Sequence, residues 1–151
     1  TELSAYFMEG YAGQIHRPFA IGAPPTAAYQ RLFDVAAEAF ARITARIRPG
    51  ATVADVLDAA EYIHQQGFTI YDDLVHGYGG GYLPPVLRTR QTGSATLPDF
   101  TFAEDMVIVV QPNVITPDEQ MGIQVGELLR VTATGIESLH RPPMRFIQCG
   151  G

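Results

Sequence analysis

The apolar positions of this chain change period along its length, and the change orders the elements. Residues 2–9 (ELSAYFME) and 14–21 (QIHRPFAI) read as two strands around a turn of Gly10, Tyr11, Ala12 and Gly13, with Gly22, Pro24 and Pro25 breaking the chain after them. From Thr26 to Arg48, Tyr29, Phe33, Ala36, Phe40, Ile43 and Ile47 recur at spacings of three and four, which predicts a helix with one apolar stripe. Arg46 and Arg48 suit the negative end of its dipole, and Pro49-Gly50 stops it. A second helix is predicted over 52–67. It is opened by Thr52 with Asp55 three residues on, buried through Val53, Val56, Leu57, Ala60 and Ile63, and closed by Gly67.

The middle then loses its period. Residues 76–85 (HGYGGGYLPP) read as a glycine-rich loop and 86–105 as irregular. A strand follows over 106–115, apolar enough at its start to be covered on both faces. Two more follow over 122–133 and 135–140. Hairpin, helices, then strands make an α+β fold in a single domain over residues 1–151.

Composition narrows the function. The chain has 151 residues and is 46% hydrophobic, enough for a core. A formal charge of −6 without a Lys or Arg stripe argues against nucleic acid as partner. No apolar run approaches the roughly 20 residues of a membrane span, and no secretory leader stands at the start. The single Cys149 excludes an internal disulfide and a cysteine-based zinc site, and cytoplasmic residence is expected. The chain opens on Thr1 rather than Met, which leaves open whether it is a fragment of a longer protein.

Candidate chemistry is sparse. Gly77, Gly79, Gly80 and Gly81 lack phosphate-loop spacing and no Lys-Ser/Thr pair follows, so the run marks a close backbone approach instead. His76 opens the run and is expected to face a cleft, with Asp72 and Asp73 just before it. Asp105 and Glu119 read as solvated turn residues. Glu127, inside an apolar strand, calls for a partner.

In order, these pieces resemble the pita-bread family of methionine aminopeptidases, prolidases, Xaa-Pro aminopeptidases and creatinase. The resemblance is carried by Gly10-Tyr11 with Arg17, Phe19 and Gly22; by Arg48-Pro49-Gly50-Ala51-Thr52; and by His76-Gly77-Tyr78-Gly79 with Leu83-Pro84-Pro85. It continues through Met106-Val107-Ile108 with Gln111-Pro112-Asn113, and Gly122-Ile123-Gln124-Val125-Gly126-Glu127 with Val131-Thr132 and Gly135. It implies a curved antiparallel sheet backed by helices, represented here by the C-terminal two-thirds of the family's domain and incomplete at its N-terminus.

The family's metal ligands fall on Leu3, Gln14, His76, Gln111 and Gly126, so four of five are absent. A second active-site His falls on Leu83. Glu2 and Glu127 each sit one residue from a ligand position, on the opposite face of a strand unless a bulge intervenes. The expectation is therefore no metal and no cofactor.

The resemblance leaves three functions. The first is a peptidase-like protein without a dinuclear site. The second is a metal-independent, creatinase-like hydrolase or lyase on a small molecule. There His76 is catalytic, Gln14 and Gln111 form hydrogen bonds, Arg17 anchors an anion, and Glu127 joins them in binding substrate. The third is a non-catalytic peptide-binding module, as in the peptidase-like domain of a histone chaperone. His76, Gln14 and Gln111 are expected to line one cleft. No helix remains to cover the first hairpin, so Tyr6, Met8, Ile15, Phe19 and Ile21 are expected to include exposed residues, favouring a homodimer.

Overall fold

The computed structural model describes residues 1–7 and 10–150. In chain order the elements are β1 (Glu2–Phe7), β2 (Tyr11–His16), β3 (Phe19–Ile21), α1 (Ala27–Thr44), α2 (Val53–Ala60), α3 (Tyr62–Gln65) and β4 (Val75–Tyr78). There follow β5 (Tyr82–Leu87), β6 (Val107–Val110), β7 (Asn113–Ile115), β8 (Gly122–Gln124), β9 (Gly126–Thr132), β10 (Gly135–Ser138) and β11 (Ile147–Cys149). The main sheet is antiparallel and curled, ordered β1-β2-β9-β6-β4-β5, with β10 also on β9. Two small sheets, β7–β8 and the parallel β11–β3, flank it. This is the α+β fold the sequence predicts.

α1 is capped by Thr26, and α2 by the reciprocal Thr52–Asp55 box that the sequence indicates. The stripe of α1 is rotated from the predicted one. Leu32, Val35, Ala36, Ala39 and Ile43 are buried, Phe33 and Phe40 only partly, and Tyr29 is exposed. Each fully buried large side chain contributes about 1.5–3 kcal/mol, so the narrower, more aliphatic stripe decides the helix's orientation. α1 ends at Thr44, before Arg46 and Arg48, and Arg42 occupies its last turn instead. The predicted helix over 52–67 divides into α2 and α3, but all five of its predicted core residues are buried.

The strands are more broken than their composition suggests. Pro18 and Pro112 cannot donate to a ladder, so 14–21 and 106–115 each split there. Residues 122–133 divide at Val125, and β11 was not foreseen. The largest correction concerns 76–85. This is no loop but the β4–β5 hairpin, with the glycines as its turn and a register shift between His76 and Gly77. Gly77 there is a close approach: a Cβ would stand 2.5 Å from Pro84 O.

One face of the sheet carries Val75, Leu87, Ile108, Val110, Leu129 and Val131 into a core shared with all three helices. β1 is an edge strand whose described side chains are exposed, among them Leu3 and Tyr6. Phe19 and Ile21 are exposed and Ile15 is half-buried. Met8 lies outside the described residues.

Candidate functional site

Strand alternation builds the site on the sheet face away from the helices. Directly paired residues share a face, and the pairs His16–Gly126, His76–Val109 and Val109–Leu128 run across β2, β9, β6 and β4. Ala12, Tyr78, Val109 and Leu128 form a small apolar patch on that face. Gln14, His16 and His76 stand on the same face, all buried. Gln111, just past β6, joins them. His76 and Gln14 thus share one face of the sheet, and Gln111 joins it through its bond to Gln14.

The amides form a relay. Gln14 Nε2 donates to Gln111 Oε1 at 2.7 Å, and Gln111 Nε2 donates to Asp73 Oδ2 at 3.2 Å. Tyr82 OH donates to Asp73 Oδ1 at 2.5 Å, and Asn113 Nδ2 to the Asp73 carbonyl at 2.9 Å. Burial pushes the Asp73 carboxyl above its ordinary value, against the opposing Tyr82 hydrogen bond. Burial and Asp73 together push the Tyr82 phenol up.

His76 is fully buried rather than facing an open cleft. Tyr82 stacks on its ring at 4.1 Å and Tyr78 meets it edge-on at 5.3 Å. Its Nδ1 is 3.0 Å from Gly77 O, which can only accept, so the proton sits on Nδ1 and Nε2 is left to accept. His16 is the counterpart that sequence reasoning missed. Its Nε2 faces Glu2 Oε2 at 3.1 Å, which leaves Nδ1 to accept. His16 Nδ1 and His76 Nε2 are both buried without a partner among the described residues. Each such atom costs about 1–3 kcal/mol. Burial lowers the His16 pKa, Glu2 opposes this, and nearby His76 adds to the lowering.

Gly126 is where the two sides touch. A Cβ there would stand 2.8 Å from His16 Nδ1 and 2.9 Å from Gln111 Cα, so this ligand position of the resemblance has no room for a side chain. Glu2 is a second correction. The unbroken β1–β2 register pairs it with His16, so it lies on the site's face rather than the opposite one. There it bonds His16 and Ser4 Oγ, the latter at 2.6 Å. Glu2 and His16 were legible only as an i, i+2 neighbour of Gln14 and its cross-strand partner.

Arg17 and Glu127 form a separate cluster. Arg17 Nη2 donates to Glu127 Oε1 and, at 2.6 Å, to Pro142 O; Nη1 donates to His16 O and Gly126 O; Nε donates to Pro143 O. All five donors are spent, so the anion-anchoring role expected for Arg17 finds no free N–H. Glu127 pairs with Ile15, on the face opposite Gly126, and its other oxygen accepts from Ser138 Oγ at 2.5 Å. This is the partner its burial called for. Asp105 and Glu119 are exposed turn residues with φ of 68° and 57°, as expected.

Comparison with known proteins agrees with this geometry. Metallopeptidase family M24 matches residues 2–133. An uncharacterised peptidase of Staphylococcus saprophyticus is 32% identical over 132 residues, covering 87% of this chain and 36% of the relative. Methionine aminopeptidase B of Synechocystis is 27% identical over 148 residues, covering 87% and 54%. The X-Pro aminopeptidase of Thermotoga maritima superposes with a TM-score of 0.82 at 23% identity, over 97% of this chain and 40% of that one. The chain spans between about a third and just over half of the curated relatives it matches. It belongs to metallopeptidase family M24, and its fold is the pita-bread fold.

Proposed function

We propose that this M24 member works as an aminopeptidase- or prolidase-like domain without a dinuclear metal site, acting on a small molecule or short peptide through His76. The observation that carries the reading is the Gln14–Gln111 hydrogen bond, which joins two positions where the resemblance expects metal-binding carboxylates. The metal pair implied by the family name does not fit these residues. Gln14 and Gln111 satisfy each other, and Gly126 has no room for a side chain. Among the described residues no three His, Cys, Asp or Glu side chains are grouped to hold a metal ion. His76 Nε2 is then the proton acceptor, as in a creatinase-like hydrolase or lyase, with the amide relay orienting the ligand.

Elemental analysis of protein purified without chelator tests the first half. Less than one equivalent of Mn, Co or Zn per chain is expected, and two would overturn the reading. A panel of Xaa-Pro dipeptides and small amides tests the second. Turnover should survive EDTA and be lost in His76→Gln. Saturable binding without turnover would favour the non-catalytic peptide-binding module, a reading supported by the complete burial of His76.

A homodimer in the cytoplasm completes the proposal. It is supported by the exposed β1 edge with Leu3 and Tyr6, and light scattering tests it. No helix among the described residues is long and apolar enough to cross a membrane.

A further inference from the structure

β8 is a three-residue strand with a partner on one side only. Its register with β7 decides what the other side offers. Residues of an antiparallel pair alternate between exchanging both main-chain bonds and exchanging none. Ile115 exchanges both of its bonds with Thr69 instead, so its pairing with Gly122 is of the second kind. Val114–Ile123 is then a bonded pair and Asn113–Gln124 is not, which agrees with the bond from Val125 N to Pro112 O one step further on. The N–H and C=O groups of Gly122 and Gln124 therefore point away from β7, and none has a main-chain partner among the described residues.

Nearby, the same edge is covered. The register runs unbroken from Val110–Glu127 to Ile115–Gly122, so Gly126 turns the same side outward as Gln124 and Gly122, and there β2 lies on it through the His16–Gly126 pair. β2 then leaves the edge. Pro18 has no N–H to give, and β3 pairs with β11 instead. A groove opens in its place: cavities of about 500 Å³ and 270 Å³ both reach Gly122, Ile123 and Gln124.

Unpaired main-chain groups two residues apart are complementary to another extended main chain. A guest that continues where β2 stops runs antiparallel to β8, as β2 does to β9. Its first and third residues lie opposite Gly122 and Gln124 and exchange bonds with them. Their side chains share a face with Asn113 and Ile115, which line the larger cavity. The middle residue, opposite Ile123, faces the other way. On that side Ile123 packs on the core, and Tyr29 and Phe146 line the smaller cavity, so an apolar side chain fits there.

We propose that the outer edge of β8 is a docking site for a short extended peptide, held antiparallel through its main chain and carrying an apolar middle residue. The inference deepens the short-peptide part of the proposed function and rests on it, but not on how His76 is used.

The test is an NMR titration of the isotope-labelled full chain with N-acetyl-alanyl-leucyl-alaninamide, read at the Gly122 and Gln124 amide signals. Both should shift saturably. Methylating the main-chain nitrogen of either alanine should weaken binding about tenfold, the loss of one hydrogen bond. Methylating that of the leucine should change it by less than about threefold, because this nitrogen points away from β8. Gln124→Pro removes one N–H from the edge and should weaken binding about tenfold, whereas Gln124→Ala keeps that N–H and should bind as the native chain does. Saturable shifts confined to other residues, or equal effects of methylation at all three nitrogens, would overturn this docking and leave the short-peptide reading in place. No saturable shift anywhere would overturn it and remove the peptide half of that reading as well.

Discussion

Gln14 and Gln111 lie 97 residues apart in sequence and share a 2.7 Å hydrogen bond in the buried face of the sheet. The Gln111 amide is committed further, its Nε2 donating to Asp73. The pair behaves as a neutral clasp between β2 and the segment after β6. Its neutrality matters, because Asp73 is already a carboxyl held above its ordinary pKa by burial.

Replacing Gln111 with Glu should therefore be costly. The new carboxylate would stand where an N–H now donates to Asp73 at 3.2 Å. The expected loss is about 1–3 kcal/mol near neutral pH, shrinking toward about pH 5 as one of the two carboxyls takes up a proton. Urea unfolding at the two pH values measures it, and a loss independent of pH would contradict the neutral clasp.

Arg17→Ala should be more damaging than any exposed charge change. It leaves Glu127 buried without its cation, a change worth about 3–5 kcal/mol. The double variant Arg17→Met with Glu127→Met should recover much of that. Chemical denaturation of the two proteins side by side decides it.

His16 should govern part of the acid sensitivity. Its folded-state pKa lies below the ordinary histidine value of about 6.5, chiefly through burial. The unfolded chain therefore binds the proton more readily. The stabilisation is complete above about pH 6.5 and is lost as pH falls toward the folded value. His16→Asn should flatten that acid-side decline in unfolding free energy between about pH 7.5 and pH 5.5, whatever its effect on stability at neutral pH.

Tyr82 covers His76, stacked at 4.1 Å and tied to Asp73 through its hydroxyl. Tyr82→Ala should open the ring to diethyl pyrocarbonate, with modification of His76 followed by peptide mass spectrometry. Tyr82→Phe keeps the stacking and should protect His76 nearly as well as the native residue. If both variants react alike, the hydroxyl rather than the ring is what closes the site.

The pairing of Gln14 with Gln111 was legible because motif order carries it, and the Thr52–Asp55 cap because its spacing is local. Glu2 was misplaced for a different reason. Its face depends on which residues the hairpin pairs, and a count along the chain does not contain that register. Arg17 was misread because four of its acceptors are backbone oxygens, of His16, Gly126, Pro142 and Pro143, and carbonyls look the same in every sequence. Of the stripe read for α1, Ala36, Ile43 and Ile47 are buried, while the close-packed layer takes Leu32, Val35 and Ala39 rather than the aromatic Tyr29, Phe33 and Phe40.

The Arg17 cluster also sets a schedule. Its bonds to Gly126, Glu127, Pro142 and Pro143 span 109 to 126 residues of sequence. At synthesis rates of about 5–20 residues per second, Arg17 leaves the ribosome roughly 6–25 s before its last acceptors do. The helices, built from local contacts, can form in that interval, but β2 cannot dock on β9. A nascent chain would carry an unpaired guanidinium and an apolar hairpin edge throughout, which makes this hairpin the segment most in need of a chaperone's cover.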